Sequence, residues 1–198
     1  MCIRDRIWVI SGYQLAMVAG LLPAAALGEI LGHRRVYIVG LVMFVVSSLA
    51  CGLAPSLPAL VVARILQGLG AAGVMSVNGA LLRFIYPSHM LGRGLGLNAM
   101  VVGLSFAAGP TAASAILLLG SWHWLFLINV PIGIVAAVLA LRGLPETARA
   151  PHGFDGIAAL LCALTLGLFV LGSNELAHGA PWPRVTLEWG GACLLYTS

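Results

Sequence analysis

Six runs of apolar residues divide the chain, at 7–27, 36–54, 59–82, 95–119, 124–141 and 156–172, and a seventh begins near Leu187. Each of the six meets or approaches the ~20 residues that a helix needs to cross a hydrocarbon core. The pattern predicts an all-α polytopic membrane protein, a bundle of about six transmembrane helices. The segments between the runs are short, so consecutive helices are expected to be antiparallel neighbours in one bundle.

Those segments alternate in arginine. Residues 28–35 carry Arg34 and Arg35, 55–58 carry none, and 83–94 carry Arg83 and Arg93. Residues 120–123 carry none, 142–155 carry Arg142 and Arg149, and the next segment has Arg184 alone. Basic residues near span ends collect on the cytoplasmic face, so residue 7 is placed outside and the first helix runs inward. Trp8, Trp122 and Trp124 then fall near outer edges, where interfacial anchors sit, although packing would account for them equally well.

Composition agrees. The chain is 61% hydrophobic and 8% charged, with a mean hydropathy of +1.04. Soluble domains are about 45–50% apolar and about 25% charged, and so few charges cannot cover a water-facing surface. The net charge of +4 comes with no lysine, and it lies between apolar runs rather than in a patch suited to nucleic acid. The lipid bilayer is the expected partner; nucleic acid is not. Cys51 and Cys162 sit inside apolar runs and Cys2 and Cys193 near the ends, which gives neither a metal spacing nor a disulfide framework. Small packing residues are the expectation for the two inner cysteines.

The two ends are related at the level of DNA. One back-translation of Met1–Asp5, ATG TGT ATA AGA GAC followed by A, is the reverse complement of TGT CTC TTA TAC ACA T. That second sequence encodes Cys-Leu-Leu-Tyr-Thr and opens a serine codon, as found at Cys193–Ser198. Residues 1–6 and 193–198 are therefore read as inverted copies of a sequencing adapter and set aside from fold reasoning. The expectation is an internal piece: 7–173 a helical membrane bundle, and 174–192 an outer loop with the start of a further helix.

Three segments carry candidate chemistry. Between the first two runs, Gly28, Glu29, Gly32, Arg34 and Arg35 place a carboxylate, a glycine-permitted turn and two adjacent guanidinium groups between two helices. Glu29 can accept charge-assisted hydrogen bonds from a helix N-terminus or an arginine, and Gly32 allows a turn that a side chain would block. Such a cluster can latch helix ends, or it can simply be a solvated loop. In the third run, Arg64 precedes Gln67 and a row of small residues that permit close helix approach. A charge at membrane depth costs about 2.5–3.5 kcal/mol or more, so Arg64 either faces a polar interior or snorkels to the outer interface. In the fourth run, Gly103, Gly109 and Pro110 predict a bend, since proline removes a helical hydrogen bond. Tyr13, Gln14, Asn78 and Asn98 are further cavity candidates, because polar groups inside a bundle need partners.

These segments, in this order, resemble the major facilitator superfamily. Leu27, Gly28, Glu29, Gly32, His33, Arg34 and Arg35 are similar to its signature between the second and third helices, with Ala25 for the leading glycine and Glu29 for the usual aspartate. Arg64 and Q-G-L-G-A-A-G from Gln67 resemble its fourth-helix motif, and Gly109-Pro110 its antiporter motif, with Ala113-Ser114 replacing the closing glycine pair. S-W-H-W-L-F-L-I-N-V-P-I-G, from Ser121 to Gly133, resembles the sixth helix of the fourteen-spanner drug:proton antiporters, with His123 in place of arginine. Phe154-Asp155-Gly156 resembles the entry to a seventh.

The resemblance implies helices two to seven of a proton-coupled multidrug efflux transporter that works by alternating access. It implies a multi-pass protein of the bacterial cytoplasmic (inner) membrane. Its partners would be protons and a small amphipathic or cationic organic substrate, with no cofactor beyond the proton gradient. Glu29, Arg34 and Arg35 would bias a cytoplasmic gate, Arg64 and Gln67 would join a proton relay, and Pro110 would shape a bend. No predicted span contains an internal Asp or Glu, so the proton-carrying carboxylate is expected elsewhere. A facilitator or symporter for a sugar or organic acid is the alternative on the same fold. An intramembrane enzyme is the remote one, since neither G-x-S-x-G nor H-E-x-x-H occurs.

Overall fold

The computed structural model describes residues 3–147, 156–177 and Trp189. In chain order its elements are α1 (Ile3–Leu31), α2 (His33–Gly52), α3 (Leu57–Ile85) and a 3-10 turn (Ser88–Met90). They continue with α4 (Leu91–Leu119), α5 (Trp124–Leu127), α6 (Asn129–Gly143) and α7 (Gly156–Ala177). Among the described residues there is no strand.

Five stretches are long and apolar enough to cross a membrane: Val9–Leu31, His33–Gly52, Leu57–Ile85, Ser88–Leu118 and Trp124–Gly143. The sixth predicted span becomes α7, within which Leu161–Ser173 is the apolar stretch. Helices overrun the predicted limits, since α1 and α3 each have 29 residues. At 1.5 Å per residue that is ~43 Å, more than a ~30 Å hydrocarbon core; backbone hydrogen bonding does not stop where apolarity does. At its other end α1 begins at Ile3, inside the segment set aside as adapter-derived. The fifth predicted span is interrupted at Ile128, between α5 and α6. Pro131 has no N–H to offer the Leu127 carbonyl, and the Asn129 side chain donates to the Leu125 carbonyl at 3.4 Å. Leu187, Phe154 and Asp155 lie outside the described residues.

The turn between α1 and α2 is one residue. Gly32 has φ +96°, and its N–H donates back to the Gly28 carbonyl at 3.0 Å. A side chain is strained at that φ, so glycine is what lets two long helices reverse with no loop between them.

α3 lies at the centre, packed on α1 and α2; α2 also meets α5 and α6, α7 lies along α1, and α4 is peripheral. The seams are lined by small residues. A Cβ on Gly70 would lie 2.6 Å from the Phe44 nitrogen, and one on Gly40 would lie 2.9 Å from the Gly70 carbonyl oxygen. Large apolar side chains point the other way: Val39 is 65% exposed, Phe106 78% and Leu118 87%. Small residues within and large apolar ones without is the distribution expected when lipid, not water, surrounds the helices.

The bundle has two chemically distinct ends. At one, the His33 ring lies 5.8 Å from that of Phe84, and Arg34 reaches the Leu141 carbonyl. Arg83 and Arg142 stand in the last turns of α3 and α6, so the arginine-bearing segments meet at this end. At the other, Cys51, Leu60 and Ala63 form an apolar cluster with Val9, Ala54 and Phe126. This is the end at which the positive-inside rule collects basic residues.

Candidate functional site

Arg64 stands seven residues into α3, ~10 Å along the axis from Leu57. It faces the interior. Its Nη1 donates to Gln67 Oε1 at 2.7 Å and its Nε to the Val9 carbonyl at 3.3 Å. The guanidinium carbon lies 4.3 Å from the centre of the Tyr13 ring and 5.5 Å from that of Phe126. Two aromatic faces and two acceptors thus replace the water that a cation loses at this depth.

Gln67 is 1% exposed. Its Nε2 donates to Ser48 Oγ at 2.6 Å, and Ser48 Oγ donates to the Phe44 carbonyl at 2.7 Å. Cys51 Sγ lies 3.9 Å from Gln67 Oε1. The links from Arg64 through Gln67 and Ser48 run towards α2 and end on the Phe44 carbonyl, while the Cys51 thiol of α2 donates back to Gln67. The arrangement holds the Arg64 guanidinium between acceptors on α1 and α3.

The other cavity candidates are not brought to this place. Asn78 Nδ2 donates to Asn98 Oδ1 at 3.1 Å, joining α3 to α4; fourteen residues along α3, this contact is ~21 Å from Arg64. Gln14 is exposed, while its neighbour Tyr13 turns inward. On α4, Gly103 and Gly109 have no neighbouring atom within 4 Å of an added Cβ, and Pro110 is exposed. Among the described residues no helix packs on that segment.

At the arginine end, the turn and the segment after α6 cap each other's helices. The His33 N–H, in the first turn of α2, donates to Thr147 Oγ1 at 2.8 Å. Arg34 Nη2 donates to the Leu141 carbonyl at 2.6 Å, in the last turn of α6. Both are groups that a helix terminus leaves without an internal partner; Thr147 supplies the acceptor that Gly32, having no side chain, cannot. Arg34 Nη1 also pairs with Glu146 at 3.5 Å, although that carboxylate is 89% exposed. Gly28 packs against α3, where a Cβ would lie 2.7 Å from Val77 Cγ1. Glu29 and Arg35 are exposed. A cavity of about 290 Å³ opens here, lined by Arg34, Arg35, Glu146 and Thr147 among others.

Sequence reasoning found Arg64, Gln67, Tyr13 and the turn, but not Ser48, Phe126, Glu146 or Thr147. Ser47-Ser48 within an apolar run was the one available signal for the first of these.

A family model described as Major Facilitator Superfamily matches residues 7–196. The uncharacterized transporter YebQ of Escherichia coli (strain K12) is 51% identical over 185 residues, covering 92% of this chain and 40% of that protein. The tetracenomycin C resistance and export protein of Streptomyces glaucescens is 39% identical over 166 residues, covering 82% and 31%. The riboflavin transporter RibZ of Clostridioides difficile (strain 630) is 32% identical over 170 residues, covering 85% and 37%. The chain spans less than half the length of each of these relatives.

Proposed function

Because this chain belongs to the major facilitator superfamily, we propose that it is part of a proton-coupled multidrug efflux transporter of the bacterial cytoplasmic membrane. It is an integral, multi-pass membrane segment, and its family and transporter-named relatives point to transport rather than catalysis. The observation that carries the reading is the clamped guanidinium of Arg64. A cation held at membrane depth is costly, and by default such a residue marks a site that acts on other charges. It favours the ionised form of any carboxylate brought near it, so a rearrangement that separates the two raises that acid's proton affinity. Alternation of such contact would couple proton uptake to rocking of the helices. The mutual capping by Arg34 and Thr147 supports a gate at the cytoplasmic end. The export function named for the tetracenomycin relative supports a small organic substrate leaving the cell; that it is amphipathic or cationic is part of the proposal.

In the full-length protein, Arg64→Ala should abolish proton-gradient-driven dye efflux from cells while leaving the protein in the membrane. Efflux by Arg64→Ala equal to that of the parent would refute the reading. A relative named as a riboflavin transporter, at 32% identity, favours a second reading, in which this fold is a facilitator or symporter for an organic solute such as a sugar or organic acid. Solute accumulation indifferent to the proton gradient would select it.

A further inference from the structure

A second concavity, of about 430 Å³, runs along the outer side of α1 and α2, over Leu69 and Gly73 of α3. It starts beside Gly20 and Met43 and ends at Leu31 and Arg35. From Gly20 to Leu31 is eleven residues, ~16 Å of helix, close to one leaflet of a ~30 Å hydrocarbon core. Its lining is apolar except for one side chain, Arg35, at the arginine-bearing end. It is open to the side, since Val39 on its rim is 65% exposed and Leu31 46%.

The charges at that end are unequal. Arg34 is engaged by the Leu141 carbonyl and Glu146. Arg35 is exposed, and no described residue pairs with it. Arg35 also lines the neighbouring polar cavity, so its guanidinium stands where an apolar trough meets a wet recess. We propose that this groove binds an anionic phospholipid of the cytoplasmic leaflet. One acyl chain would lie along Ala24, Leu27, Val39 and Met43, and the headgroup phosphate would accept charge-assisted hydrogen bonds from Arg35. Basic pockets between helices on the cytoplasmic side suit such headgroups. A protein helix laid in the same groove would have to carry its own anion at the depth of Arg35, whereas every anionic lipid presents one there. The proposal does not depend on the direction or coupling of transport.

The test uses the full-length protein in vesicles, comparing motionally restricted spin-labelled phosphatidylglycerol with spin-labelled phosphatidylcholine. Phosphatidylglycerol should be preferred, and Arg35→Gln should lower that preference roughly fivefold. Val39→Trp, which fills the groove from its exposed rim, should displace both lipids from the restricted population. Arg83→Gln, another exposed arginine at the same end, should change nothing. Inorganic phosphate at millimolar concentration should not compete, because it lacks the chain; competition by phosphate alone overturns the lipid assignment. So does a wild-type protein without preference, a preference that survives both Arg35→Gln and Val39→Trp, or an equal loss in Arg83→Gln.

Discussion

Replacing Ser48 by alanine removes one oxygen from the middle of the buried chain and almost no volume. The Phe44 carbonyl loses the serine hydroxyl but keeps its place in the backbone ladder of α2. Gln67 Nε2 loses the acceptor it had at 2.6 Å, in surroundings where Ser48 is 0% and Gln67 1% exposed. An unsatisfied buried donor costs about 1–3 kcal/mol. Hydrogen bonds between helices in a membrane average about 0.6 and reach about 1.7 kcal/mol, because the separated helices also find partners. The expected loss is therefore ~1–2 kcal/mol. Ser47 supplies an internal standard. It is also buried, but its hydroxyl bonds only the Met43 carbonyl of its own helix, at 2.6 Å, so Ser47→Ala should cost under ~0.5 kcal/mol. Reversible unfolding of the full-length protein in mixed micelles would measure both. On a Gln67→Met background the cost of Ser48→Ala should vanish, since no donor remains to be orphaned. Equal costs for Ser47→Ala and Ser48→Ala, or an undiminished cost on that background, would refute the assignment of Ser48 as the far anchor of Arg64.

Three further outcomes are expected. Gly32→Ala should destabilise the protein by about 1–3 kcal/mol, the cost of holding a side chain in a sparsely populated backbone region; an unchanged unfolding midpoint would mean that the turn does not have φ +96°. Thr147→Val should speed amide exchange at His33 and its neighbours, while Thr147→Ser should not; identical exchange in the two variants would remove Thr147 from the cap of α2. Single cysteines placed at positions 34 and 93 should react with a membrane-impermeant reagent from the same face, and labelling from opposite faces would break the topology.

The spans were legible because bilayer crossing imposes a length and a hydropathy together, and α1 to α4 fall where those two coincide. Their ends were not, since helical hydrogen bonding continues beyond the hydrocarbon through Leu31 and Ile85. Arg64 was legible because a membrane-depth charge must be explained, but its anchor was not. A serine in an apolar helix is already satisfied by its own fourth preceding carbonyl, as Ser47 is, so nothing in the sequence separates Ser48 from it. The turn was legible through Gly32 and its arginines. Glu146 and Thr147 were hidden because their partners lie 112 and 114 positions away, and local pattern carries no information across such a gap. That Asn78 and Asn98 pair with each other was hidden for a related reason: polarity marks a need for a partner without saying which.

The seams of small residues put two rules of substitution side by side on each helix. An outward-facing position such as Val39 or Phe106, where it meets lipid, answers to solubility in oil, and leucine, isoleucine or phenylalanine would serve there almost interchangeably. A seam position such as Gly40 or Gly70 answers to size alone, and a single added methyl group would push backbones apart. Substitutions at the outer surface should thus be the tolerated ones, while the contacts that fix the bundle rest on some of its smallest and least conspicuous residues.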